Sequence, residues 1–258
     1  MTDSYRVLGR PPGADGLLLA PRTPTSPEAG PDPDAVTPVA VDAPPGEGDA
    51  VATVDGTDLY PGYVVSAALD GKRGDRGDTD DEPTRPTVAD VAVERETLLT
   101  VAEAVEGLYE AATDAFRTAR AAGEGMTSRV TRGTDGDPNG ALYVFADPPG
   151  ENLLTGFRRG RPPIDPLLAR ADEGRDGDGP MEAFVLESAA DPFVAVHVVF
   201  EREGVLANTI RETYNLPRPD AAGGLAGRLD ADAGADSAAE VDADDDFDLL
   251  DGDLPKRE

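Results

Sequence analysis

The chain has 258 residues, 52 of them Asp or Glu against 23 Lys or Arg, for a formal net charge of -29, and only Lys72 and Lys256 are lysines. That much like charge opposes compaction in dilute buffer and is screened in molar salt, where the Debye length falls to about 3 Å. The lack of cysteine excludes a disulfide framework, a thiolate nucleophile and a cysteine-based zinc site. No stretch approaches the ~18 apolar residues of a membrane-spanning helix and residues 1–6 do not open a signal peptide, so no membrane association is expected and the expected location is the cytoplasm.

Hydrophobic residues make up 39% of the chain and aromatic residues 5%, enough for one large or two small domains around a thin core. Six short apolar runs, at residues 5–8, 17–20, 36–41, 51–54, 63–69 and 87–93, are broken by Pro/Gly-rich loops. They predict a β-rich N-terminal unit over residues 1–95, a small barrel that is OB-like in the pairing of 61–69 with 88–93. Residues 21–35, with five prolines, and 70–86, with Gly71, Gly74 and Gly77, are expected to be mobile loops.

An α+β unit is expected over residues 96–217, read as helix, hairpin, helix, hairpin, helix. Its first helix is predicted from 94 to 122, because Leu98, Val101, Val105, Leu108, Ala112, Ala115, Phe116 and Ala119 recur at three- and four-residue spacing, with Gly123 and Gly125 suited to the C-cap. Residues 128–132 and 141–146 then pair as a hairpin, and short helices over 151–158 and 164–171 flank Pro162 and Pro163. A second hairpin pairs 182–187 with 193–200, the latter apolar on both faces as a central strand is, and a helix covers 204–215. From Arg218 the chain holds thirteen acidic and four basic residues, so 218–258 is expected to be a disordered acidic tail.

Four constellations could carry chemistry. Arg129, Arg132, Arg158, Arg159 and Arg161 form a cationic island suited to an anion, a protein partner or a nucleic-acid backbone, although helix C-termini and surplus carboxylates would use arginines in the same way. Asp135, Asp137 and Asn139 follow the first half of a calcium loop, in which alternating oxygens face the ion and Gly140 permits the turn. Ala146 stands where the bidentate glutamate belongs, and a plain hairpin turn prefers the same residue types, so calcium or magnesium is the only cofactor the pattern suggests. His197 is the one imidazole, and strand alternation places it on a sheet face with Phe193, Ala195 and Val199. Phe247, Asp248, Leu249 and Leu250 could dock on a partner or simply be solvated.

The segments Glu124-Gly125-Met126-Thr127-Ser128-Arg129-Val130-Thr131, 135–140 and 204–214 resemble an uncharacterised protein family of halophilic archaea, over roughly residues 5–216. The acidic, lysine-poor composition resembles halophilic proteins generally. The likeness implies lineage and carries no assigned activity. The expected function is a non-enzymatic binding or adaptor protein with a protein or nucleic-acid partner. The alternative is a metal-dependent hydrolase of phosphate compounds using Asp135, Asp137 and Asn139.

Overall fold

Short apolar runs punctuated by Gly and Pro along the first seventy positions build strands, and a computed structural model shows how they assemble. It describes residues 2–10, 16–22, 38–46, 48, 50–70, 85–147, 152–175 and 177–218. Strands β1 (Asp3–Gly9), β2 (Leu17–Pro21) and β3 (Val39–Val41) are followed by the small hairpin β4 (Ala52–Val54) and β5 (Thr57–Leu59), then by β6 (Val64–Asp70) and β7 (Thr87–Arg95). The first sheet is antiparallel in the order β3-β2-β1-β6-β7. Its two edges meet at an isolated parallel bridge between Asp42 and Thr87, where the Asp42 N–H donates to Pro86 O at 2.8 Å and the Val88 N–H donates to Asp42 O at 3.4 Å. The inward residues Val7, Leu17, Leu19, Val41 and Val65 make the core of this sheet.

The helix expected over 94–122 is corrected in its first half. β7 runs to Arg95, and Leu98–Val105 is strand β8, pairing in parallel with β11 (Glu182–Ser188) from Leu98↔Glu182 onward. Only Glu110–Ala122 is helix, α1. Gly107 lies between them at φ 63, a left-handed turn that ends the strand and that the helical spacing alone ignores. A fully buried strand and a buried helix share short apolar runs, so Leu98 and Leu99, both buried on opposite faces, satisfied either template. The C-terminus of α1 is as expected: Gly123 is left-handed and its N–H reaches the Ala119 and Arg120 carbonyls.

The expected helix, hairpin, helix, hairpin, helix unit is thereby replaced by a mixed five-stranded sheet in the order β8-β11-β12-β10-β9. Here β9 is Met126–Arg132, β10 Pro138–Ala146 and β12 Phe193–Val199. Both predicted hairpins are present, joined through β10 and β12. Every residue of β12 is buried, because helices cover both sides. On one side α2 (Leu153–Arg158) and α3 (Asp165–Asp172) pack on Val185, Val194, Val196 and Val198. On the other, α1 covers Leu142, Val144 and Ala195, and α4 (Val205–Thr213) covers Phe184, Leu186 and Val199. Asn152 caps α2, its Oδ1 accepting from the Thr155 N–H at 2.6 Å.

The described protein is thus strand-rich, with four helices, and among the described residues no helix is long and apolar enough to cross a membrane. Residues Met1–Gly224 cluster as one unit and Leu225–Glu258 as another, the latter outside the described residues together with the predicted tail motif. Most of the predicted loops 21–35 and 70–86 also lie outside them.

Candidate functional site

Where β7 turns into β8, the chain leaves the first sheet and enters the second. The Glu96-Thr97 turn, the end of α3 and the segment entering β11 enclose a cleft of about 410 Å³. Its charged lining is Glu94, Glu96, Asp172 and Asp178 against Arg95 and Arg175. Arg175 shapes one wall: its Nε donates to Asp172 Oδ1 at 2.7 Å, and its Nη1 to Gly179 O at 2.6 Å and Phe200 O at 3.4 Å. Arg95 lies 3.6 Å from Asp172, and Glu94 accepts from Ser4 Oγ at 2.9 Å. Carboxylates therefore outnumber guanidinium groups in a concave site of ligand size.

One residue beyond Met181, Glu182 opens β11 fully buried and forms a salt bridge with Arg211, itself buried in α4. Thr100 Oγ1 donates to Glu182 at 3.3 Å, and Arg211 also donates to Arg202 O and to Asn208 Oδ1, each at 3.3 Å. Burial pushes the Glu182 carboxyl up to about 7, against the opposing pull of Arg211, Thr100 and Arg202 and with help from Glu203. Arg202 links the buried pair to the cleft, its Nη1 lying 3.9 Å from Glu96. A third charged cluster joins the sheets: Arg6 donates to both oxygens of Asp165 at 2.9 and 2.7 Å and to Gly62 O at 2.5 Å, and Arg22 adds a bond to Asp165 at 2.7 Å. Burial works to raise the Asp165 pKa, but the two guanidinium groups outweigh it and hold the carboxyl below its usual range.

Strand β12 carries His197 on the face under α1 and α4, between Leu142 and Phe184 of the neighbouring strands. It is 4% exposed, its Nε2 has no hydrogen-bond partner among the described residues, and the Tyr109 ring meets it edge-on at 5.9 Å. Burial, aided by the Arg129 charge, lowers its pKa to about 4, so the ring is neutral at pH 7. Because α3 packs on the opposite face, His197 does not share the cleft.

The cationic island divides. Arg129 and Arg132 are exposed on β9, one edge of the second sheet, and Arg132 donates to Gly136 O in the adjoining turn at 2.9 Å. Arg158, at the end of α2, pairs with Glu103 on β8, the other edge; four strand spacings separate these edges by about 19 Å. Arg159 and Arg161 follow α2, where the Arg161 N–H donates to Gly156 O at 2.8 Å. Asp135 and Asp137 lie in the β9–β10 connection, where Asp135 Oδ1 accepts from the Asp137 N–H at 3.1 Å and Gly136 has φ 88, whereas Asn139 is the second residue of β10 and its O accepts from the Phe200 N–H at 3.1 Å. Among the described residues no group of three or more His, Cys, Asp or Glu is placed to hold a metal ion.

Sequence reasoning missed the cleft, Glu182 with Arg211, and Asp165 with its two arginines. A signal existed for the buried pair. Glu182 shares a strand face with Phe184 and Leu186, and Arg211 falls inside the apolar stripe of Ala207, Ile210 and Tyr214. A charge on each apolar face calls for a partner.

Two sheets, one curled on itself and one layered between helices, joined at a charged cleft and locked by buried ion pairs, define a strand-rich α+β protein. The chain belongs to a family of unknown function, DUF6663, whose model matches residues 1–219. Neither the curated proteins nor the solved structures offer a match.

Proposed function

We propose that this protein is a salt-adapted, cytoplasmic, non-enzymatic binding protein whose cleft between the β7–β8 turn and α3 takes a small polar ligand bearing a positive charge. The observation that carries the reading is the cleft itself: about 410 Å³, with four carboxylates against two arginines, one of which is held by Asp172 and by two carbonyls. The net charge of -29 supports the salt-adapted part, since screening relieves the repulsion among 52 acidic groups.

The strand order of the first sheet and its parallel Asp42–Thr87 closure support an OB-like barrel, a fold that offers one strand face and its rim loops to oligonucleotides. Nucleic acid takes second place as a ligand here, because Arg10 is spent on Val51 O and Ala43 O and Arg22 on Asp165.

The test is thermal unfolding of the full chain in molar potassium chloride with arginine, spermidine and choline as cationic probes, and with acetate and phosphate as anionic ones. A ligand at 100 times its Kd adds about 2.7 kcal/mol of stability. At least one cation should raise Tm saturably, and Asp178→Asn with Glu96→Gln should abolish the rise. No cationic probe acting, or a rise that survives both substitutions, overturns the reading. Equal Tm in dilute buffer and in molar salt overturns the salt-adapted part.

A further inference from the structure

The two edges of the second sheet differ. β8 bends at Ala104, whose φ is 46, and carries the acidic Glu103, which takes Arg158. β9 is a regular seven-residue strand without Pro, Gly or an acidic residue, and among the described residues it pairs with β10 alone. Its one register irregularity falls at the turn end, between Pro138 and Gly140 of its partner. Alternate N–H and C=O groups of β9 therefore point away from the sheet, the template for another strand that proteins ordinarily blunt.

The side chains add a specificity. Of the three large hydrophobic residues exposed in the described chain, two stand on this strand, Met126 at 45% and Val130 at 55%. Strand alternation sets them with Ser128 on one face. On the other face Arg129 stands between Thr127 and Thr131, while Arg132 ends the strand on the face of Val130. In a chain of net charge -29, this edge carries two cations and no anion.

We propose that β9 is a docking edge for an extended peptide of a partner protein, one that alternates apolar and acidic residues and adds to the sheet as a sixth strand. Backbone pairing supplies the affinity of such a complex and the alternating side chains supply its selectivity. Apolar residues of the peptide lie beside Met126 and Val130, its carboxylates lie on the other face beside Arg129, and Arg132 adds its charge at the end of the strand. Opposite charge singles out this occupant, since pairing β9 with a second copy of itself brings four arginines onto one ladder. The inference goes beyond the cleft reading and stands or falls separately, because the cleft lies by the β7–β8 turn and the end of α3, at the far side of the sheet.

The experiment is fluorescence anisotropy of a labelled hexapeptide alternating aspartate and leucine, titrated with the full chain in molar potassium chloride. Two N-methylated versions, each blocked along one backbone edge, accompany it. Saturable binding is expected. It is lost with methylation on one edge and kept with methylation on the other. Arg129→Glu combined with Arg132→Glu should weaken it about tenfold with Tm unchanged, Val130→Thr, which keeps strand propensity, should weaken it less, and Asp178→Asn should leave it unchanged. Equal binding of both methylated peptides overturns strand addition, as does no binding at all. Displacement of the peptide by oligothymidylate assigns the arginines to a phosphate backbone instead. Concentration-dependent dimers in ultracentrifugation that vanish in the charge-reversed variant assign the edge to a second copy.

Discussion

In the first sheet β7 covers the core with one face only: Val91 and Val93 are half-buried against it, whereas Asp90, Ala92 and Glu94 between and beyond them are exposed. Along β12 of the second sheet seven consecutive residues, Phe193–Val199, are all buried. The first sheet curls until its own edges touch at Asp42 and Thr87, so a single face makes the core. The second is layered between two pairs of helices, so both faces do. The difference decides where charge can be tolerated. The curled sheet keeps charge off its inner face, its buried Arg6 reaching instead to Asp165 of α3, whereas a two-faced sheet that holds Glu182 must bring Arg211 inside with it. The buried pair belongs to the layered sheet for that reason, and the shared cluster of Arg6, Asp165 and Arg22 sits where the two sheets join.

The sharpest way to break the comparison is to strand one member of the buried pair. Arg211→Ala leaves Glu182 buried and uncompensated, and is expected to cost about 3–5 kcal/mol by denaturant unfolding in molar salt. Glu182→Gln combined with Arg211→Met should recover most of that loss, because two neutral side chains need no mutual attraction to enter the sheet. A single-variant loss below about 1 kcal/mol would mean that water reaches the pair and that the layers are less sealed than β12 implies.

Next in size is the seam between the sheets. Gly62 has φ 95, and a Cβ there would sit 2.5 Å from Leu99 N and from Thr97 O, at the point where the Leu99 N–H donates to Pro61 O at 2.8 Å. Gly62→Ala should cost about 2–3 kcal/mol, from strain plus a backbone clash that no rotamer relieves. Gly56→Ala is the control, in the β4–β5 turn at φ 77 with nothing within 4 Å of the added carbon. It should cost only about 1 kcal/mol. Equal costs would show that the seam yields as easily as a surface turn.

Much of this arrangement is legible in the residues themselves. Short apolar runs bounded by Gly and Pro at 5–8, 17–20 and 63–69 mark β1, β2 and β6, and the unbroken apolar run of β12 marks a central strand. The hairpin β4–β5 is half visible: Asp55 and Gly56, at φ 49 and 77, are a two-residue turn signal, but Thr57, Asp58 and Leu59 are too short and polar to announce a strand. β8 is hidden because Leu98, Val101 and Val105 fit a helical face, and because its parallel partner β11 begins some eighty residues later. The cleft is out of reach for the same reason. Glu94 meets Asp172 and Asp178 only after β8, α1, the β9–β10 hairpin, α2 and α3 have intervened, and nothing local in any of the three residues marks a meeting. The arginine island shows the converse: Arg129 and Arg158, neighbours in a linear reading, stand on opposite edges of one sheet.

A smaller effect is the pH dependence of the layered sheet. Glu182 has its pKa raised by burial to about 7 from 4.5, so the folded state holds this proton more tightly than the unfolded state. Its contribution is complete below pH 4.5 and is lost as pH rises toward 7. His197 is lowered by burial to about 4 from 6.5, so its contribution is complete above pH 6.5 and is lost as pH falls toward 4. Between pH 4.5 and 6.5 the two slopes oppose each other, each about 1.4 kcal/mol per pH unit. Glu182→Gln should unmask the histidine, so that unfolding free energy relative to the wild type climbs with pH across that window. Parallel profiles for variant and wild type would show that Glu182 titrates normally in the fold.

The smallest effect is expected at the sheet's rim. Arg158 and Glu103 have side chains 34% and 59% exposed, so solvent screens their attraction and both long side chains lose rotamer freedom when they pair. Arg158→Ala should change stability by less than about 1 kcal/mol, and by less still in molar potassium chloride, where the charges are screened within about 3 Å. The contrast with Arg211→Ala is the point of the measurement, since both substitutions remove one guanidinium from one glutamate of the same sheet, β8 in one case and β11 in the other. If Arg158→Ala proves as damaging as Arg211→Ala, burial is not what separates the two pairs, and the rim of β8 must be closed by chain outside the described residues.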